Sequence, residues 1–372
     1  MSNSETNVHV FYGPSAWFRE NVSSAAKSLI EIVTERDADR RQHTVHVEGK
    51  SPEAENLHER PFCVYAETAD YSMLSEGAIS GFSTLIQEIS PIELLLQNPP
   101  LILVQQLRQI YGDVDESHYE RKRPQIDGLR EFNEKLQTEL VGQEEMKGEL
   151  VASLYPLTRE RQRKPVVLLF FGPSGVGKTE TAKLINYFCD GTLLRRQFSM
   201  FHSQKFSSYL FGGEVSEASF ARDLLERDSG AILLDEFDKA NPMFHSAFYQ
   251  LFDDGIFEDK NYRAQVGPAV IVCTANYKSR AEVTRELGDA LASRFDAMIE
   301  FKHLTGSEVA VVISKVVDEQ TAMLDDDEMR FIDVEDLKEK LSSRIRQGQN
   351  IRGLTSLVKN IINMKIVSGL IN

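Results

Sequence analysis

Cysteine is scarce in this sequence: Cys63, Cys189 and Cys273 are the only three in 372 residues. They lie far apart, form no C-x-x-C pair and are odd in number, which speaks against a disulfide framework and against a cysteine zinc centre. Positive charge is also in deficit, with 42 Lys and Arg against 57 Asp and Glu and a net charge of −15. A chain that is acidic along its length lacks the concentrated basic surface that neutralises a phosphate backbone, so nucleic acid is not an expected partner. No unbroken apolar run approaches the ~18 residues of a membrane span, and the polar start MSNSETN has neither the charged nor the apolar region of a signal peptide. The expectation from these absences is a cytoplasmic chain without membrane contact.

What is present is an ordinary globular composition, 41% apolar and 27% charged. At ~150 residues per domain, the length allows two or three domains. Residues 1–111 read as a small α/β domain: strands at 8–12, 43–48 and 61–67, and helices at 17–33, 76–89 and 101–111. Residues 112–128 (GDVDESHYERKRPQIDG) are charge-dense and nearly free of large apolar side chains, which marks them as a linker. From Leu129 the texture changes. PVVLLFF (165–171), AILLD (231–235) and AVIVCTAN (269–276) are continuous apolar runs of the kind that strands buried on both faces of a parallel sheet require. Helical stretches alternate with them, so 129–304 is expected to be a doubly wound α/β domain. Residues 305–372 read as helical, over 306–323, 334–346 and 351–370. His43 and His46 form H-x-x-H without a further ligand nearby and are read as surface residues.

Directly after the first run come Gly172, Pro173, Ser174, Gly175, Val176, Gly177, Lys178 and Thr179, which fit G-x-x-x-x-G-K-[ST], and then a helix from about Glu180. Glycines let the backbone wrap a phosphate with several N–H groups, and the helix N-terminus adds positive potential. Lys178 can reach the β- and γ-phosphates, and the Thr179 hydroxyl can hold Mg²⁺. The run AILL ends in Asp235 and Glu236, which places two acids at the carboxyl edge of a sheet, where open α/β folds bind ligands. Asp235 is expected to hold the metal and Glu236 to deprotonate an attacking water. The expected cofactors are ATP and Mg²⁺.

The segments LLFFGPSGVGKTETAK, AILLDEFDKANPMFHSAFYQLFDDG, AVIVCTAN, LASRFD and IRGL occur in an order that resembles the AAA+ ATPases of the Clp unfoldase group. The resemblance covers about 129–372 and implies a P-loop sheet with a C-terminal helical lid. It also implies a ring-forming homo-oligomer, expected to be hexameric. Leu140–Glu144 is similar to the segment that lines the adenine pocket there, which brings in Val141 and Gly142. Carried over in the same way, Asn276 is a polar sensor that positions water, Arg294 an arginine finger for a neighbouring subunit, and Arg352 a second sensor on the lid. On the residues alone, the alternative for Asn276 is a strand-end cap, and for Arg294 a surface ion pair with Asp289 or Asp296. The group usually has Gly-Ala-Arg-Pro where this chain has Asn350-Ile351-Arg352-Gly353. Tyr209-Leu-Phe-Gly-Gly213 stands where the group carries a pore loop that grips polypeptide; Tyr209 or Phe211 can serve as the grip, or either can be core. The implied activity is ATP-driven remodelling of a protein client. The alternative is an ATP-gated scaffold that controls an effector partner without threading.

Overall fold

The continuous apolar runs of the sequence form the middle of a parallel sheet in the computed structural model, which describes residues 6–42, 60–200, 204–343 and 351–371. The strands in chain order are β1 (Asn7–Tyr12), β2 (Lys27–Ser28), β3 (Cys63–Ala66), β4 (Glu93–Gln97), β5 (Asp115–His118), β6 (Val166–Phe171), β7 (Leu194–Gln197), β8 (Ala231–Asp235), β9 (Ile256–Glu258), β10 (Arg263–Gln265), β11 (Val270–Thr274) and β12 (Ala297–Glu300). The chain forms two compact units. One holds Met1–Arg121, Phe201–Asp228 and Asp253–Val266; the other holds Lys122–Met200, Ser229–Phe252 and Gly267–Asn372.

The second unit is built on an all-parallel sheet of order β12-β6-β11-β8-β7. Every residue of β6, β8 and β11 is buried, which is why these strands are apolar throughout. The edge strands β7 (LRRQ) and β12 (AMIE) have an open side and tolerate charge, so their sequences carry no strand signal. Helices Ile126–Glu139, Glu144–Leu154 and Lys178–Cys189 contribute Leu129, Phe132, Leu150 and Ile185 to the core on the sheet. After β12 the described residues are mainly helical. Gly306–Thr321 opens on a capping box in which Thr305 and Glu308 satisfy each other's backbone N–H, and it packs with Val334–Ser342 and Ile351–Ile371 around Val309, Ile313, Leu337, Val358 and Ile362.

The stretch Gly353–Ile371 corrects one expectation, because by length and composition it is apolar enough to cross a membrane. Lys359 and Lys365 interrupt it, so a search for an unbroken run passes over it. Its Val358, Ile362 and Ile366 are buried in the lid core, while Leu357, Met364, Val367 and Leu370 are exposed.

The first unit has its own all-parallel sheet, β2-β3-β4-β1-β5, with Val10, Val64, Leu94, Leu96, Phe82 and Tyr71 in its core. Two expectations change here, and a third is not tested. The stretch read as one helix over 17–33 is two, Ser15–Glu20 and Leu29–Gln42, separated by the small polar residues around Ser23 and by β2. The stretch 112–128 is not a free linker, since β5 lies inside it and pairs with β1; all four of its side chains are exposed, as an edge strand permits. The strand expected at 43–48, with His43 and His46, lies outside the described residues.

The largest difference is in how the chain is divided. Segments 201–228 and 253–266, expected inside the ATPase domain, belong to the unit of the N-terminal sheet. Glu226 shows what ties them there. Its Oε1 accepts from the buried amides of Gln97 and Asn98 at 2.9 and 3.1 Å, and its Oε2 accepts from the Ser15 hydroxyl and backbone N–H at 3.0 and 3.2 Å. Truncation by Glu226→Ala leaves the Gln97 amide short of an acceptor, an expected loss of about 1–3 kcal/mol. A thermal melt of the full chain measures it.

Candidate functional site

A cleft of about 810 Å³ opens at the carboxyl ends of β6, β8 and β11. One of its walls is the loop between β6 and the helix Lys178–Cys189. Gly172, Gly175 and Gly177 have φ of 134°, 77° and 107°, a region that side chains disfavour. A Cβ on Gly172 would stand 2.1 Å from the Phe301 carbonyl oxygen. Because that neighbour is backbone, Gly172→Ala is expected to cost more than about 3 kcal/mol and to distort the loop. Urea unfolding checks the first effect and nucleotide binding the second.

The structure brings most of the expected residues into this one cleft. Ser174, Gly175, Val176, Gly177, Lys178, Thr179 and Glu180 line it, with Asp235, Glu236, Asn276 and Val141. Gly172, Pro173 and Gly142 do not border it; the first two shape the loop from behind. Gly142 has φ 69°, and a Cβ there would meet the Glu308 carboxylate at 2.5 Å, so it sets a close approach of backbone to the lid helix. Lys178 is buried, and its ammonium donates to the carbonyls of Gly172 and Pro173, both at 2.6 Å, and to Asn276 Oδ1 at 3.1 Å. The loop cation and the strand-end amide thus already meet at the point where they are expected to act.

The acids are organised by residues that sequence reading passed over. Asp235 is buried at the end of β8, where Thr274 on the neighbouring β11 donates its hydroxyl to Oδ1 at 2.5 Å and accepts the Glu236 backbone N–H at 2.9 Å. Arg195 on β7 donates two N–H groups to Asp235 Oδ2. Gln197, two residues further along β7, donates to Glu236 Oε2 at 3.1 Å. Glu236 has φ 55°, ψ 44°, a left-handed conformation that costs a non-glycine residue about 1–3 kcal/mol and clusters at functional sites. Thr274 lies inside the run read as a strand, and Arg195 and Gln197 on an edge strand with no apolar signal; only the pairing of β7 and β11 on either side of β8 reveals them.

The remaining wall combines an apolar patch with Glu139, Lys183, Lys315 and Glu319. Leu140, Val141, Val176, Leu184, Leu304 and Val316 form the patch, several from the lid side. It therefore offers an apolar slot next to a polar, cationic loop, a shape suited to a ligand with a flat base at one end and phosphates at the other.

Four expected residues remain. Arg294 does not line the cleft; its guanidinium sits 4.2 Å from the centroid of the Tyr249 ring and donates to the Ala290 carbonyl. Asp296 accepts the Val167 N–H at 2.7 Å. Arg352 is in the helix Ile351–Ile371, and its side chain is outside the described residues. Of the two aromatic residues considered for a grip, Tyr209 is buried against Phe220 with its hydroxyl on Asp223, which is the core alternative, whereas Phe211 is 44% exposed.

Comparison with known proteins agrees with this geometry. Residues 163–310 match the family model of the AAA domain (Cdc48 subfamily). The chaperone protein ClpB of Clostridium tetani is 26% identical over 289 residues, 66% of this chain and 32% of that protein. The ATP-binding subunit ClpL of an ATP-dependent Clp protease from Staphylococcus aureus is 26% identical over 226 residues, 54% of this chain and 32% of that protein. The chain thus spans about a third of the length of these curated relatives. A cryo-EM reconstruction of the closed state of Hsp104 with ATPyS and FITC casein shares the fold, with a TM-score of 0.57, 18% identity, and coverage of 79% of this chain and 55% of that one.

Proposed function

This chain carries a Clp-type AAA+ ATPase module, and from that premise we propose that it hydrolyses Mg²⁺-ATP and uses the energy to remodel or unfold a protein client as a homo-oligomeric ring. The observation that carries the reading is the convergence of Lys178, Thr179, Asp235, Glu236 and Asn276 on one cleft with an apolar slot beside it. The loop N–H groups and Lys178 bind the phosphates, and the slot takes the adenine. Thr179 and Asp235 both line the cleft with hard oxygen donors, the kind that Mg²⁺ prefers, and they would hold it. When bound, the metal supplies neutralisation of charge on the phosphate oxygens. Glu236 takes the proton of the attacking water, Gln197 steadies its carboxylate, and Asn276 orients the water from across the cleft.

Arg294 lies away from the cleft of its own chain, as suits a residue that completes the site of a neighbouring subunit, and we take the ring to be a hexamer. Arg352, at the start of the last helix, is proposed as the lid sensor. The lid residues Leu304, Val312 and Ile351 border the cleft, so nucleotide turnover would be felt by the helical part of the chain. The compartment we assign is the cytoplasm. Analytical ultracentrifugation with ATP and with ADP tests the assembly: ATP is expected to shift the protein from monomer to a ring, and Arg294→Ala to leave assembly in place while lowering ATPase activity at least tenfold.

One observation favours a second reading, an ATP-gated scaffold that switches an effector partner without threading. Tyr209 is buried and hydrogen bonded rather than presented for gripping. Phe211→Ala separates the two: lost client unfolding with intact ATPase supports threading, and no change in either supports the switch.

A further inference from the structure

The carboxylate of Asp235 is 6% exposed, and an ion buried that deeply needs partners on both oxygens. Its partners are of different kinds. Oδ1 accepts a neutral hydroxyl, that of Thr274, at 2.5 Å. Oδ2 accepts Nε–H of Arg195 at 3.1 Å and a second N–H of the same guanidinium, so a full positive charge is concentrated on that one oxygen. Thr274 is held by packing in the sheet interior, whereas Arg195 stands on the edge strand β7 and is itself 41% exposed. One partner is fixed and the other has room to withdraw into water. Alternation along β7 puts Arg195 and Gln197 on the same face, and they engage Asp235 and Glu236 respectively.

We propose that Arg195 is a resident counter-cation for Asp235 which the divalent cation must displace, and that it therefore sets the Mg²⁺ concentration at which the cleft takes up nucleotide. This rests on the Mg²⁺-ATP reading of the cleft. A guanidinium that donates twice to Oδ2 competes with a metal for that oxygen, and it repels a dication brought near the same carboxylate. Without the metal, Arg195 holds the Asp235 carboxylate in place. Arg195 is a positioning residue acting through Asp235, and its signature is a Mg²⁺ dependence rather than a turnover number.

Fluorescent mant-ATP binding to the full chain, followed while Mg²⁺ is titrated, reads this directly. Arg195→Gln is expected to lower the Mg²⁺ midpoint about fivefold, because the competing charge is gone. Arg195→Lys, which keeps the charge on a flexible stem, is expected to stay within about twofold of the wild type. A midpoint for Arg195→Gln that is unchanged or raised overturns the inference, a raised one meaning that Arg195 only holds Asp235 in shape. Thermal melts of both variants check that they are folded, and if Arg195→Gln does not fold, a Lys variant with a midpoint shifted well beyond twofold overturns the inference in its place. Lys178→Ala separates this from failure of the parent reading. If wild-type protein binds no mant-ATP, or if Lys178→Ala binds it equally well, both fall; if binding needs Lys178 but the midpoint ignores Arg195, only the inference falls.

Discussion

Glu236→Gln protein is expected to retain ATP while hydrolysing it at least about a hundredfold more slowly than the wild type, the usual worth of a positioned general base. The substitution is nearly isosteric. It keeps the backbone N–H that Thr274 accepts, and it leaves Asp235 with both of its partners, so the phosphate and metal contacts stay in place. What goes is the proton acceptor. The side-chain contact with Gln197 can persist through the amide oxygen, so a stability change is not expected to confuse the result. Loss of turnover with nucleotide affinity preserved identifies a group that acts in the transition state rather than in binding. Rapid filtration of radiolabelled ATP together with phosphate release separates the two quantities. Equal loss of both would mean that Glu236 holds the ligand instead.

Lys178→Ala is expected to fail at the earlier step, with ATP affinity weakened at least ~30-fold, the lower end for removing one member of a buried hydrogen-bonded charge pair. The Nζ stands between the carbonyls of Gly172 and Pro173 and the Asn276 side chain, so it is carried to the phosphate position by the loop itself. Its removal deletes the one side-chain cation of the loop, in a chain whose net charge of −15 gives no general attraction for an anionic ligand. The loop N–H groups remain, so binding is expected to weaken rather than vanish. Isothermal titration calorimetry with ATP and Mg²⁺ measures the difference.

Much of the second unit is legible in the sequence because burial on both faces leaves an unmistakable record. Strands β6, β8 and β11 are apolar throughout, and each carries its chemistry at its carboxyl end: the glycine loop, the paired acids and Asn276. The edge strands leave no such record. With β7 unread, Arg195 and Gln197 appear as two polar residues in a loop, although each donates to one of the two acids. Thr274 is hidden for another reason: in AVIVCTAN it looks like one more strand residue, and only the pairing of β11 beside β8 makes it the partner of Asp235. The division of the chain is harder still. A linear reading assigns 201–228 and 253–266 to the domain they interrupt, whereas contacts such as Glu226 with Ser15, Gln97 and Asn98 reach across more than a hundred residues. Tyr209 belongs to that rearrangement, and its burial follows from a segment that packs into the first unit.

The central claim is that the cleft beside Lys178 and Glu236 turns over Mg²⁺-ATP in a shared active site. Phosphate release by the full chain, measured with ATP and Mg²⁺ over a wide range of protein concentration, tests it most directly. Release is expected to require Mg²⁺, to disappear in Glu236→Gln, and to rise in specific activity as concentration drives subunits together. Release that is absent at every concentration, or that persists undiminished in Glu236→Gln, would contradict it.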